Sequence, residues 1–118
     1  MKEFLLIFRR DLVTTTAQQS PAEMQDMLKP WQDWMGSLAA RQALANPGNR
    51  LSNDGRVVKS GNLVTNGPYV EIKEGIGGYI IVRAASIDEA TELAKGCPIM
   101  LIGGNVEVRA VVPMDSNG

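Results

Sequence analysis

Thr65-Asn66-Gly67-Pro68-Tyr69-Val70-Glu71-Ile72-Lys73-Glu74-Gly75-Ile76-Gly77-Gly78-Tyr79-Ile80-Ile81-Val82-Arg83 is the stretch from which the fold can be read. Asn-Gly-Pro imposes a turn, because glycine tolerates positive φ and proline fixes its own φ while removing a donor. Three charged residues follow, and then the strongest strand of the chain, Ile76 to Arg83. There Tyr79, Ile80, Ile81 and Val82 put apolar side chains on both faces. Such a strand belongs in the middle of a sheet and expects cover on both sides. Residues 2–8 repeat the pattern, with Phe4, Leu6 and Phe8 on one side and Leu5 and Ile7 on the other.

Between these strands the periodicity changes. Ser20-Pro21-Ala22-Glu23 combines a capping serine, a first-turn proline and a capping-box glutamate, and predicts a helix. Its apolar stripe is Met24, Met27, Leu28, Trp31, Met35 and Leu38, with Trp34 at the edge, and Pro30 should kink or split it near Lys29. Asn46-Pro47-Gly48 is expected to end the helical region. Asn53-Asp54-Gly55 and Ser60-Gly61-Asn62 are further turns, with short strands expected near 50–52, 56–59 and 62–65. Ser86-Ile87-Asp88-Glu89 opens a second helix with Ile87, Ala90, Leu93 and Ala94 inward and Gly96 and Pro98 at its end. The last predicted strand is Val106 to Val112.

The order is a βαββαβ pattern elaborated in its middle, which predicts an α+β fold, a ferredoxin-like sandwich with an antiparallel sheet. A single domain over residues 1–113 with a polar tail at 114–118 accounts for the whole length of 118 residues. Two helices cover one face of such a sheet. The apolar side chains on the other face predict a homodimer joined sheet to sheet.

Composition removes several function classes. The chain has no histidine, which excludes imidazole bases and ligands. Twelve basic against thirteen acidic residues leave a net charge of -1, so no nucleic-acid or anionic-membrane partner is expected. The single Cys97 has no partner for a disulfide, a zinc site or a redox pair, which points to a reducing, cytoplasmic setting. Phe4 to Phe8 is too short for a signal peptide, Arg9-Arg10 lacks the hydrophobic run of an export signal, and no segment has transmembrane length.

Thr65-Asn66-Gly67-Pro68-Tyr69, Glu71, Lys73-Glu74, Gly77-Gly78-Tyr79 and the closing Val106-Glu107-Val108-Arg109 together resemble the YCII-related proteins of the DGPF type, from the first strand to Val112. The signature of that type runs Asp-Gly-Pro-Phe, acid, Lys-Glu, Gly-Gly. The resemblance implies a dimeric α/β barrel built from ferredoxin-like subunits. Genes of this family often lie beside or within alternative sigma factor genes, which implies an accessory, transcription-linked role. Asn66 stands here for the leading acid and Tyr69 for the phenylalanine, and the His–Asp pair proposed as catalytic in the wider group has no counterpart.

Two functions are open. One is a non-catalytic dimeric module that binds a small-molecule ligand and needs no cofactor or metal, with Asn66 at a pocket mouth, Arg109 holding an anion and Trp31 as an apolar wall. The other is a small-molecule enzyme in which Tyr69, Glu71, Lys73 and Glu74 supply acid/base chemistry. Each group also has a plain structural explanation. Asn66-Gly67-Pro68 can be only a turn, the charged cluster a solvated rim, Arg109 an ion pair with Glu107 or Glu74, and Trp31, Trp34 and Met35 simple core. Cys97 reads as an inert thiol, and Gly75-Ile76-Gly77-Gly78 precedes a strand, unlike a phosphate loop.

Overall fold

The two strands with apolar residues on both faces pair with each other in the middle of the sheet. The computed structural model describes residues 1–10, 21–52, 54–66 and 75–114. Along them run β1 (Lys2–Arg10), α1 (Pro21–Ala40), β2 (Leu44–Arg50), β3 (Arg56–Lys59), β4 (Leu63–Asn66), β5 (Gly75–Ala84), α2 (Ile87–Ala94), a 3-10 turn (Pro98–Ile102) and β6 (Asn105–Ala110). The sheet order is β2-β5-β1-β6, antiparallel throughout, and β3 and β4 form a separate hairpin. Without that hairpin this is a ferredoxin-like βαββαβ arrangement, and the hairpin is an insertion between its second and third strands.

Register explains which side chains meet. Leu6 lies opposite Ile80 on β5 and Val108 on β6, and Phe4 lies opposite Val82 and Ala110. Phe4, Leu6, Ile80 and Val82 face the helices and join Trp34, Leu38, Ala90, Leu93 and Ala94 in one core. Leu6 and Val82 are fully buried. Truncating a core leucine of this kind costs about 2–5 kcal/mol. Leu5, Ile7, Tyr79 and Ile81 project from the opposite face, are half-buried, and do not belong to that core.

Asn46-Pro47-Gly48 does not end the helical region: α1 stops at Ala40, and these three residues lie within β2. The strand expected near 50–52 is therefore found earlier, at Leu44–Arg50. Register shifts between Leu44 and Asn46 and between Asn46 and Asn49 accommodate the turn-forming residues as bulges. Pro47 is tolerated because β2 is an edge strand, where a missing N–H need not break a ladder. Gly48 has φ +62°, and a Cβ there would fall 1.7 Å from the Tyr79 carbonyl oxygen. The absence of a side chain lets β2 close on β5.

The helices also depart in detail from their expected faces. α1 continues through Pro30 as a single element, so the proline does not split it. Among its described side chains Trp34 and Leu38 are buried, Trp31 and Met35 half-buried and Leu28 55% exposed, while Met24 and Met27 of the expected stripe lie outside the described side chains. Trp34 is thus central to the packed stripe, because its indole N–H donates to the Leu93 carbonyl, 3.1 Å away. The Ser20 cap lies outside the described residues. In α2 the Ser86 hydroxyl accepts from the Glu89 N–H at 3.2 Å, whereas Ile87 stays 48% exposed and the inner face is Ala90, Leu93 and Ala94. In the β3–β4 hairpin, Gly61 and Asn62 both take positive φ, as the Ser60-Gly61-Asn62 loop requires.

Two glycine substitutions should diverge in sign. Gly36 lies inside α1, and a Cβ added there would meet no atom within 4 Å, so Gly36→Ala should stabilise by about 0.5–1 kcal/mol through helix propensity. Gly48→Ala should destabilise by about 2 kcal/mol or more, since it combines positive φ with a collision against the β5 backbone. Chemical denaturation midpoints of the two variants check the contrast.

Candidate ligand cleft

β1 and β2 flank β5 and run parallel to each other, so their C-terminal residues, Arg10 and Arg50, arrive at the same end of the sheet. Arg10 pairs with Gly75 and Arg50 with Gly78. Three of the four residues from Gly75 to Gly78 are glycines, Ile76 being the exception. A Cβ on Gly77 would sit 2.7 Å from Arg10 Nε, and a Cβ on Gly78 would sit 2.8 Å from the Asn49 carbonyl oxygen. The register shift in β1–β5 falls at the same place, between Phe8 and Arg9. These glycines let the Arg10 side chain lie across the strand and let β2 approach it.

A cavity of about 830 Å³ opens here between α1 and the sheet end. Phe8, Trp31, Met35 and Ile99 supply apolar wall, and Arg10 and Arg50 supply polar groups. Phe8 and Trp31 meet edge to face with ring centres 5.1 Å apart and planes at 80°. On the opposite face of the sheet, the Asn49 amide donates to the Tyr79 hydroxyl at 3.4 Å. Burial, and after it the like charge of Arg50, holds the Arg10 guanidinium below its ordinary value. Arg9 and Arg10 each make further contacts besides these. A smaller depression of about 500 Å³ between Pro30, Trp34 and Leu101 has Asp33 and Lys95 as its charged lining among the described residues.

Of the residues singled out from the sequence, Trp31 lines this cleft. Asn66 is exposed at the end of β4, opposite Arg56, and does not reach it. Arg109 lies on the open face of the sheet and donates to Glu107 Oε2 at 3.1 Å, while Arg9 Nε donates to Oε1 at 3.0 Å. One carboxylate is thus gripped by two guanidinium groups, first by Arg109 and then by Arg9, and they hold its pKa below the ordinary value. Tyr69, Glu71, Lys73 and Glu74 lie outside the described residues. Cys97 is buried, and burial pushes its thiol up to about 11.

Arg10, Arg50 and the Gly77-Gly78 floor are the groups that sequence reasoning passed over. The signal was present as a pair of basic residues directly after a strand, Arg9-Arg10, and a glycine pair opening another. What linked them was strand order.

The fold and the cleft define a small ferredoxin-like α+β protein with a ligand-sized recess at one end of its sheet. The chain belongs to the YCII-related domain family, whose model matches residues 12–115. No curated protein matches it. No helix among the described residues is long and apolar enough to cross a membrane.

Two outcomes follow from the electrostatics. Glu107 has a depressed folded-state value, so its stabilisation is complete above the unfolded carboxylate range near about 4.3 and is lost as pH falls through the folded value. The melting-temperature difference between the native chain and Glu107→Gln should therefore shrink between pH 7 and pH 3. Cys97 should react with a thiol-specific disulfide reagent at pH 8 about a hundredfold or more slowly in the folded chain than in denaturant, because both its raised pKa of about 11 and its burial oppose attack.

Proposed function

We propose that this chain is a homodimeric small-ligand-binding module, with the recess between α1 and the end of β1, β5 and β2 as its binding site. The observation that carries the ligand reading is the convergence of apolar wall and basic groups in one recess of about 830 Å³, the size range of small-molecule sites. This accessory role, of a module that senses or carries a small molecule, fits a chain whose composition excludes imidazole chemistry.

The dimer reading is supported by the open sheet face. Leu5 on β1 lies opposite Ile81, and Ile7 lies opposite Tyr79, which gives an apolar patch across the two central strands. Glu107 and Arg109 from β6 and Arg9 from β1 form a charged border beside it. An apolar centre with a polar rim is how protein interfaces are built. A second copy applied by a two-fold axis would bring the same patch against itself and complete an α/β barrel.

Light scattering should give twice the chain mass of 12.8 kDa at micromolar concentration, and Ile7→Lys should give the single-chain mass with helical content retained. A single-chain mass for the unsubstituted protein would refute the dimer. For the cleft, amide shifts in a fragment screen should gather at Phe8, Trp31, Asn49 and Gly78. Hits confined to the β3–β4 hairpin or to the open sheet face would refute the ligand site.

A further inference from the structure

We infer that the ligand of this recess is a planar aromatic carboxylate, its ring against Phe8, Trp31 and Met35 and its carboxylate between the guanidinium groups of Arg10 and Arg50; the inference rests on the recess being the binding site. Three observations converge on it. First, the apolar wall is aromatic and half open: Trp31 is half-buried, and its ring meets Phe8 and Trp34 edge-on, with centres 5.1 Å and 5.7 Å away. Flat rings pack on such a wall with more contact than branched aliphatics do, and edge-to-face pairing adds to simple burial.

Second, the basic groups arrive from two strands at one glycine-floored spot. Arg10 closes β1 and Arg50 closes β2, with Gly77 and Gly78 between them on β5. Any larger residue at position 77 would meet Arg10 Nε at 2.7 Å, so the bare backbone is what admits the guanidinium. Guanidinium groups are planar, permanently charged and matched to carboxylates by two parallel N–H donors.

Third, two like charges meet at the recess. Arg10 is partly withdrawn from water and feels the charge of Arg50, which lowers its affinity for its own proton. A bound carboxylate acts in the opposite sense on both groups. Among the described residues that line the recess none carries a carboxylate, so no acidic side chain of that lining repels an anion.

The experiment is a titration of the full chain with 2-naphthoate, with its uncharged isostere 2-naphthamide, and with inorganic phosphate, followed by calorimetry and by the indole N–H signal of Trp31. Naphthoate should bind and move that signal, and naphthamide should bind about ten- to a hundredfold more weakly, the range for a lost charge-assisted contact. Arg50→Gln, at an exposed strand end where folding is not at stake, should weaken naphthoate by about tenfold or more and naphthamide by much less, and an equal loss for both would overturn the charge-assisted contact. Arg10→Gln should do the same, with its melting curve checked because Arg10 is half-buried. Raising salt should weaken naphthoate and spare naphthamide.

Equal binding of naphthoate and naphthamide, with the Trp31 signal moving in both, would overturn the carboxylate assignment and leave the recess as a binding site. Phosphate binding as tightly as naphthoate would overturn the aromatic part and leave an anion site. Neither aromatic compound moving the Trp31 signal would overturn the inference and the ligand reading of the recess together.

Discussion

The packing of Trp34 is the contact on which the arrangement of layers depends. Its indole N–H donates to the carbonyl of Leu93 at 3.1 Å, its ring lies edge-on to Phe8 with centres 6.0 Å apart, and it neighbours Trp31 one turn earlier on α1. A single side chain therefore ties α1 to the last turn of α2 and both to β1. Gly96 is part of the same joint, because a Cβ there would press on the Trp34 ring at 3.1 Å. Buried indoles require a partner for their N–H, and a helix end offers carbonyls that its own ladder leaves open. The Leu93 carbonyl accepts the Gly96 N–H as well as the indole, so one helix-end oxygen joins both.

With the helices set in this way, the two ends and two faces of the sheet acquire different characters. On the helix-covered face, Leu6, Leu38 and Val82 are fully buried. At the end where β1 and β2 finish, α1 leaves a recess with Trp31 and Met35 on its wall. The glycine-rich start of β5 keeps that recess open, since side chains at positions 77 and 78 would collide with Arg10 and with the β2 backbone. The open face has a central apolar patch and a border in which Arg9 and Arg109 share Glu107. The recess and the open face are thus distinct surfaces built from alternate residues of the same strands, Phe8 facing the helices and Ile7 facing outward.

Glycine and proline show how local signals can be read correctly as chemistry and wrongly as boundaries. Asn46-Pro47-Gly48 has the composition of a turn, yet it lies in an edge strand as bulges, with Gly48 at φ +62°. Proline is compatible with a strand only where no neighbour needs its N–H, and whether a strand is at an edge is a property of the assembled sheet. Pro30 likewise is a helix breaker by itself, but α1 persists through it, anchored by Trp34 and Leu38 beyond it.

The sequence by itself determined the element types, the two-sided central strands 2–8 and 76–83, the Ser86 cap and the ferredoxin-like order, because these depend on residue period and on local hydrogen bonding. It offered Trp31 either as a pocket wall or as plain core, and the helical stripe alone could not separate the two. Tertiary structure alone decided that Arg10 and Arg50, far apart along the chain, share a recess, whereas Arg109 turns to Glu107 on another face and Asn66 stays on the hairpin. The physical reason is strand order: β5 inserts between β1 and β2, and no periodicity along the chain records which strands become neighbours or which ends they bring together.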